Sequence, residues 1–358
     1  MAPDRLTPQP DLALTRYDAA VPASVIVVNW NGREHLDVCL GSLRRQTLAG
    51  VEIVLVDNAS TDDSLAFVRE RFGDAVHVVA LPENRGYAGG LNAGIIAARG
   101  RYLMPLNSDT EVAAECCERL VVAADAHPTT GMFAPKILEF DERTRLDNVG
   151  HWLYPDGLSR GRGRLEIDRG QYDAEEEIVL PSGCAVLLRR AMLADVGLFD
   201  EDLFAYCDDT DLGLRARLAG WRCRSVPAAV VYHKYSAASA AYSPLKAFLV
   251  ERNRAWVAIK CLPAPLLAVS PLFTLARLGA QAFGALTHRG AAGRFAADHS
   301  PFALITVLLR AYAAALAGLP ATWGKRRAIQ RNRRVSAWEP ITWLRRWGMG
   351  VREVALKD

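Results

Sequence analysis

Between residues 24 and 126 the sequence alternates between short runs of apolar, often β-branched residues and longer segments whose apolar positions recur at helical spacing. The short runs are Ser24–Trp30, Val51–Asp57, Val76–Leu81 and Tyr102–Asn107. Runs this short and this apolar suit strands buried on both faces. The segments between them predict helices over Arg33–Gln46, from a cap at Ser60 or Thr61 to about Phe72, over Ala88–Arg99 and over Val112–Ala126. In the first of these, Leu36, Cys39, Leu40 and Leu43 share one face. Repeated strand–helix units imply a mainly parallel, doubly wound α/β sheet with helices on both faces.

Open sheets of this kind bind ligands beyond the carboxyl ends of their strands. Polar clusters stand at three such ends: Asn29-Trp30-Asn31, Asp57-Asn58 and Asn107-Ser108-Asp109. Asn, Asp and Ser are also ordinary turn residues, so one cluster means little. Three on one sheet edge point to a site. Asp57 is placed to accept hydrogen bonds from a base or ribose. Asp109 is a hard oxygen ligand suited to Mg²⁺ or Mn²⁺ on a diphosphate.

Further on, Met132–Leu138 and Ile178–Arg189 read as strands around a Gly/Arg-rich loop, His151–Gly170. A helix over Asp209–Ala219 and a strand over Cys223–Tyr232 follow. The helix opens on Asp208-Asp209-Thr210-Asp211. Carboxylates favour a helix N-terminus by ~0.3–1 kcal/mol each, yet several so close repel one another. One of them could serve as a general base. His233 closes the last strand and, beside a metal, could be a ligand.

Taken together these segments resemble glycosyltransferase family 2, with its nucleotide-diphospho-sugar transferase (GT-A) fold, and within it bacterial rhamnosyltransferase-like members. The resemblance covers roughly residues 24–239 and rests on VVNWNG at 27–32, VDNASTDDS at 56–64, ENRGYAGGLNAG at 83–94, LNSDT at 106–110, PSGCAVLLRR at 181–190, CDDTDLGLR at 207–215 and YHKYSAAS at 232–239. It implies an inverting, metal-dependent transferase with a nucleotide-sugar donor and a glycan or polyprenyl-diphosphate-linked acceptor. Asp57 would read the nucleotide base, with Asn29 and Asn31 beside it. Asn84, Arg85 and Gly86 would shape the donor pocket. Asn107-Ser108-Asp109 stands where the family carries D-x-D, with Asn in the first place, so Asp109 would carry most of the metal binding. Asp209 would be the catalytic base and Asp208 its acidic neighbour, here Asp where the family has Glu. His233 would be a further metal or diphosphate ligand. Ser182 and Gly183 would face the donor sugar and acceptor, and Trp152 would stack on the acceptor.

Two related classes fit less well. A sugar-1-phosphate nucleotidyltransferase would carry a Gly-rich basic loop after the first strand, where this chain has Asn31-Gly32-Arg33-Glu34. A processive synthase would carry Q-x-x-R-W, of which Arg254-Ala255-Trp256 is a fragment. A degenerate carbohydrate-binding scaffold would be expected to have lost some of Asp57, Asp109, Asp209 and His233. Seven scattered cysteines without a C-x-x-C pair argue against a disulfide framework or zinc site and fit a reducing compartment.

The boundaries implied are an N-terminal arm over 1–22, a catalytic domain over 23–242 and a helical extension over 243–358. The polar arm lacks the apolar stretch of a signal peptide, which predicts a cytoplasmic body. From Gly324 to Asp358 there are ten Lys/Arg and three Asp/Glu, a net of +7, which leaves 3 − 7 = −4 for the rest of the chain. Trp323, Trp338, Trp343 and Trp347 are interleaved with those basic residues. Upstream, Cys261–Ala276 is uncharged until Arg277, and Ser300–Leu309 until Arg310. Neither run reaches the ~20 residues of a straight span. The pattern predicts attachment to the anionic inner leaflet, with helices on or dipping into it. It lacks the aromatic platform of a nucleic-acid binder.

Overall fold

A computed structural model describes residue 14 and residues 16–234, 243–299 and 301–357. Most of the arm (1–13 and 15) and positions 235–239 of the last family motif lie outside the described residues.

The strands at the heart of the fold are β1 (Ala23–Asn29), β2 (Glu52–Asp57), β3 (His77–Ala80) and β4 (Tyr102–Asn107). They run parallel in the order β4-β1-β2-β3. Register places Asn29 opposite Asp57, and Val28 opposite Asn107, so the polar strand ends form one edge. The remaining strands are β5 (Thr110–Val112), β6 (Thr130–Glu139), β7 (Leu146–Asn148), β8 (His151–Leu153), β9 (Ser159–Gly161), β10 (Glu177–Ile178), β11 (Leu187–Arg189) and β12 (Arg222–His233). All but β8 and β9, which form a separate two-stranded sheet, extend the sheet to β10-β12-β6-β11-β4-β1-β2-β3, with β5 on β12 and β7 on β6. β11 is antiparallel to both of its neighbours.

The helices that cover the sheet are α1 (Arg33–Arg44), α2 (Ser64–Phe72), α3 (Gly86–Ala97), α4 (Cys116–Ala126), α5 (Arg190–Val196) and α6 (Asp208–Leu218). Alternate strand residues enter opposite layers, as the pleat requires. Val25, Val27 and Leu55 pack with Leu36 and Leu40 of α1 and Leu120 of α4. Ile26, Val28 and Val54 pack with Leu91 and Ile95 of α3 and Leu212 of α6.

Several expected boundaries move, each for a local reason. The cap of α2 is Asp63, not Ser60 or Thr61, whose polar groups bind Asn29 and Asn31 instead. Thr110–Val112 is a strand on β12, so α4 starts at Cys116 rather than Val112. The Ile178–Arg189 run is broken between β10 and β11, where Pro181 and Gly183 interrupt the ladder. The Gly/Arg-rich loop contains the β8–β9 hairpin.

The C-terminal part comprises α7 (Pro244–Cys261), α8 (Ala264–Leu286), α9 (Gly290–Asp298), α10 (Pro301–Ala317), α11 (Leu319–Arg331), α12 (Glu339–Trp347) and α13 (Val351–Leu356). α7 packs on α6, α10 and α11 pack on α7, and α9 and α13 pack on α8. Ion pairs fix this unit to α6 and the segment before it: buried Lys260 lies 2.6 Å from Asp211 and 2.5 Å from Asp200, and Lys325 lies 2.7 Å from Asp202.

The apolar stretch does not end at Arg277, because the helix that contains it, α8, runs on for 23 residues from Ala264 to Leu286. By length and composition it could cross a membrane. It passes through Pro271 because the Ser270 hydroxyl donates to the Leu267 carbonyl at 2.9 Å, replacing the bond the missing proline N–H would have made.

Two of the four tail tryptophans do not sit at a surface. Trp343 and Trp347 are buried, with the Arg217 guanidinium of α6 5.0 and 5.1 Å from their rings. Lys325, Arg326 and Arg334 are engaged with Asp202, backbone carbonyls of α7 and Asp195. Part of the Trp/Arg pattern therefore docks the C-terminal helices on the α/β part, and only Trp323 and Trp338 of the four are exposed.

Candidate active site

The first wall is built by the ends of β1 and β2. The Asn29 amide donates to Asp57 Oδ1 at 3.3 Å and to Ser60 Oγ at 3.2 Å. Asp57 Oδ2 accepts the Ser60 N–H at 3.1 Å. Asn31 adopts left-handed φ of 50° and accepts the Thr61 N–H at 2.7 Å. Among the described residues no donor reaches the buried Asn29 Oδ1, which leaves an acceptor for a ligand. It borders a gap kept open by Gly32, where a Cβ would stand 2.9 Å from that oxygen and 3.8 Å from Ser108 Oγ. The ring of His35 lines the same gap, buried, with Nε2 3.4 Å from Glu34 Oε1.

Asn58 organises the second wall. Its amide donates to Asn84 Oδ1 and to the Gly86 carbonyl, both at 3.0 Å, and its Oδ1 accepts the Arg85 N–H at 2.9 Å. Gly86 has φ of 70°, and a Cβ there would collide with the Phe204 carbonyl. The Arg85 guanidinium pairs with Glu201 at 2.7 Å, half exposed.

At the end of β4, Asp109 Oδ1 lies 3.3 Å from His233 Nε2 on β12, and Asn107 Nδ2 lies 3.4 Å from the same nitrogen. The other ring nitrogen of His233 meets Asp147 Oδ2 on β7 at 2.7 Å. Arg164 holds the second Asp147 oxygen at 2.6 Å. Burial disfavours charge on the His233 ring, but Cys184, Asp109 and Asp147 outweigh it and raise its pKa well above the imidazole range. Burial also pushes Asp109 up, and His233 outweighs that, holding the carboxyl below its ordinary range.

Asp209 opens α6 opposite the β11 side of the sheet. Its Oδ2 accepts the Gly183 N–H at 2.8 Å, and its Oδ1 the Thr210 N–H at 2.6 Å. A Cβ on Gly183 would stand 3.1 Å from Asp209 Oδ2, so glycine lets this backbone reach the carboxylate. Ser182 Oγ accepts the Cys184 N–H at 3.2 Å and shapes the same turn. The Tyr87 hydroxyl donates to the Gly183 carbonyl at 3.2 Å. Asp208 is buried beside Asp209, in front of an apolar cavity lined by Leu91, Met132 and Leu212. Burial, and then the Asp209 charge, raise its pKa from 3.8 to about 7.

The turn into α6 is strained, with Phe204, Tyr206 and Cys207 all at positive φ. Asn253 of α7 braces it. Its amide lies 2.8 Å from the Leu203 and Ala205 carbonyls and 2.9 Å from that of Tyr206.

The sequence model described as "Glycosyl transferase family 2" matches residues 24–197. Residues 24–197 are a glycosyltransferase family 2 domain. The N-acetylglucosaminyl-diphospho-decaprenol L-rhamnosyltransferase of Mycobacterium tuberculosis is 27% identical over 272 residues, 65% of this glycosyltransferase and 85% of that relative. Among solved structures, S. aureus TarS 1–349 in complex with UDP covers 92% of both chains at 18% identity and a TM-score of 0.50. GalNAc-T7 with UDP, GalNAc and Mn²⁺ covers 69% of this chain at 18% identity and a TM-score of 0.56. This glycosyltransferase spans 49% of that GalNAc-T7 chain. Both likenesses are of fold, and the fold is GT-A.

The structure of the glycosyltransferase thus gathers Asn29, Asn31 and Asp57 in one cup, Asn84, Arg85 and Gly86 around Asn58, Asn107, Ser108 and Asp109 near His233, and Ser182 and Gly183 against Asp208 and Asp209. Trp152 is the exception. Its neighbour on β8, His151, has Nδ1 3.8 Å from Asp209 Oδ2, so strand alternation turns Trp152 the other way. There it is half-buried against the C-terminal helices, with Arg162 5.2 Å from its ring. His35, Asn58, Asp147, His151 and Asn253 are absent from the sequence motifs' expected roles. Asn58 and His151 adjoin residues that were singled out. Asp147 and Asn253 carry no local signal, since their partners lie 86 and about 50 residues away.

Proposed function

We propose that this glycosyltransferase transfers a sugar from a nucleoside-diphosphate donor to a lipid-linked glycan acceptor by a single inverting displacement, in the synthesis of a cell-envelope polysaccharide. The observation that carries the reading is the separation of two carboxylate sites on one sheet edge. Asp109 with His233 forms one, and Asp209, held by the Gly183 N–H at 2.8 Å, forms the other.

Asp57, Asn29 and Asn31 bind the base and ribose of the donor, and the Asn58-braced turn at Asn84–Gly86 closes that pocket. Asp209 accepts the proton of the acceptor hydroxyl as its oxygen attacks the anomeric carbon. The bond from that carbon to the diphosphate oxygen breaks, and its electron pair leaves with the nucleoside diphosphate. One such displacement inverts the anomeric centre.

Asp109 and His233 fit a divalent ion, Mg²⁺ or Mn²⁺. Their ligand atoms are 3.3 Å apart, near the ~3 Å edge expected for neighbouring ligands with bonds of about 2.1 Å. Asp147 at Nδ1 would keep a ring proton there, and Nε2 would give up its own proton to bind the ion. Among the described residues no group of three His, Cys, Asp or Glu is assembled for a metal. Diphosphate oxygens and water would complete the shell. A bound ion would neutralise charge gathering on the leaving diphosphate.

The mycobacterial relative's name supports rhamnose as the sugar and a polyprenyl-diphosphate-linked acceptor; we read dTDP-rhamnose as the donor and the inner leaflet as the acceptor's place. The test is a panel of nucleotide-sugars with that class of acceptor, in Mg²⁺, Mn²⁺ or EDTA, for the wild type and Asp109→Ala. Metal-dependent release of one nucleoside diphosphate, lost in the variant, is expected. No turnover and no metal-dependent donor binding would favour a non-catalytic carbohydrate-binding role.

A further inference from the structure

Helix α8 is turned inside out. Its polar residues recur at Ser270, Thr274, Arg277 and Gln281, spacings of four, three and four that form one stripe. That stripe faces the protein. Arg277 is fully buried, with Nε 2.8 Å from Asp156 Oδ2 and Nη1 2.6 Å from Glu251 Oε1. Thr274 Oγ1 lies 3.3 Å from the same Asp156 oxygen. Every exposed residue of α8 is apolar or glycine. Leu272, Leu275, Phe283 and Leu286 are 67, 65, 52 and 82% exposed. A surface helix of a water-facing protein carries the opposite pattern. On α10 Phe302 and Leu309 are 79 and 67% exposed, with Thr306 and Arg310 exposed beside them.

We propose that the outward face of α8, continued by α10, is buried in the acyl region of a lipid bilayer, with the helices lying in the membrane plane. The inward ion pairs decide against a span, because Arg277 would have to leave Asp156 and Glu251 to bring α8 across. Charge complementarity points to an anionic leaflet. Arg289, directly after α8, Arg310 and Arg327 are exposed around the apolar residues, and the stretch from Gly324 to the end is net basic by seven. Long basic side chains at the rim of an apolar face reach headgroups while their stems stay in the interface.

The position also has a catalytic meaning, which rests on the membrane-borne acceptor proposed above. Asp156, gripped by Arg277, lies in the turn of the β8–β9 hairpin. On that hairpin His151 faces Asp209, and Ser159 shares a 2.6 Å hydrogen bond with Thr210 beside it. The helix in the lipid is thus joined by one buried ion pair to the hairpin next to the base, where a lipid-linked acceptor would have to arrive.

The test is flotation of the full chain with vesicles of phosphatidylethanolamine and phosphatidylglycerol, compared with phosphatidylcholine alone. The wild type is expected to float with the anionic vesicles and to stay bound in part at 1 M salt, since apolar insertion is not screened. The Leu272→Glu/Leu275→Glu variant should bind at least tenfold more weakly, while Val122→Glu, exposed on α4, should bind like the wild type. Donor hydrolysis without acceptor is the control and should be equal in all three, which separates this proposal from the enzymatic one. Hydrogen exchange of the wild type with and without vesicles should show protection confined to 264–286 and 301–317. The idea is overturned if the wild type stays in solution, if the double variant floats unchanged, or if exchange at α8 ignores vesicles. It is equally overturned if wild-type mass doubles in solution and the variant is a monomer, for then a second copy covers the face.

Discussion

Asp147 Oδ2 stands 2.7 Å from Nδ1 of His233, and both side chains are buried. The carboxylate thereby fixes the ring's tautomer and its rotation toward Asp109. Groups that orient a metal-binding imidazole are worth about 10- to 100-fold in metal affinity. Asp147→Ala is expected to weaken Mn²⁺ binding in the presence of nucleoside diphosphate by that factor, and Asp147→Asn by less. Electron paramagnetic resonance of free Mn²⁺ measures both. Unchanged affinity in a folded Asp147→Ala would reduce Asp147 to a packing role.

Asp209 is the proposed base, held by the Gly183 N–H beside the β8–β9 hairpin. Asp209→Asn keeps the shape and removes the basic oxygen. Its transfer rate should fall by ~10²–10⁴, while donor affinity, read by calorimetry, stays within a few-fold of the wild type. Wild-type turnover in the folded variant would place the base elsewhere.

Asp208 yields a pH signature in stability. Its pKa is 3.8 in an ordinary setting and about 7 in the fold, through burial and then the Asp209 charge. Between those values the folded chain holds a proton that the unfolded chain has released. Stability therefore falls as pH rises from about 4 to about 7 and levels off above. Asp208→Asn removes that contribution. Its melting temperature should match the wild type near pH 4 and exceed it at pH 8. Parallel melting curves at both pH values would show that Asp208 ionises freely.

Asn253 satisfies carbonyls of a turn held at positive φ by Phe204, Tyr206 and Cys207. Asn253→Ala removes these three contacts, a loss of about 1–3 kcal/mol, and lets the start of α6 relax. The rate of transfer should fall at saturating donor while the donor dissociation constant holds. An equal loss in both would mean that the whole site collapses.

The parallel strands and their polar ends are legible in the sequence because both signals are local: apolar runs of six or so residues, then Asn or Asp where the chain leaves the sheet. The same locality hides Asp147, which meets His233 only because β7 and β12 both pair with β6. It also hides the fate of the tail. Tryptophan beside arginine reads as a headgroup belt, yet Trp343 and Trp347 share the Arg217 guanidinium of the catalytic helix, and periodicity alone does not say what covers an apolar face. On α8 the reverse holds. Arg277 interrupts an apolar run in the sequence, and the fold turns that interruption inward.

The brace from Asn253 and the Lys260 clamp on Asp211 bear on how such enzymes could be recombined. A chimaera joined after the last strand, meant to exchange one acceptor specificity for another, would inherit a catalytic turn without the amide that holds it. A workable crossover has to carry α6 and α7 over as a matched pair, so the two halves of this polypeptide are expected to diversify together rather than as interchangeable parts.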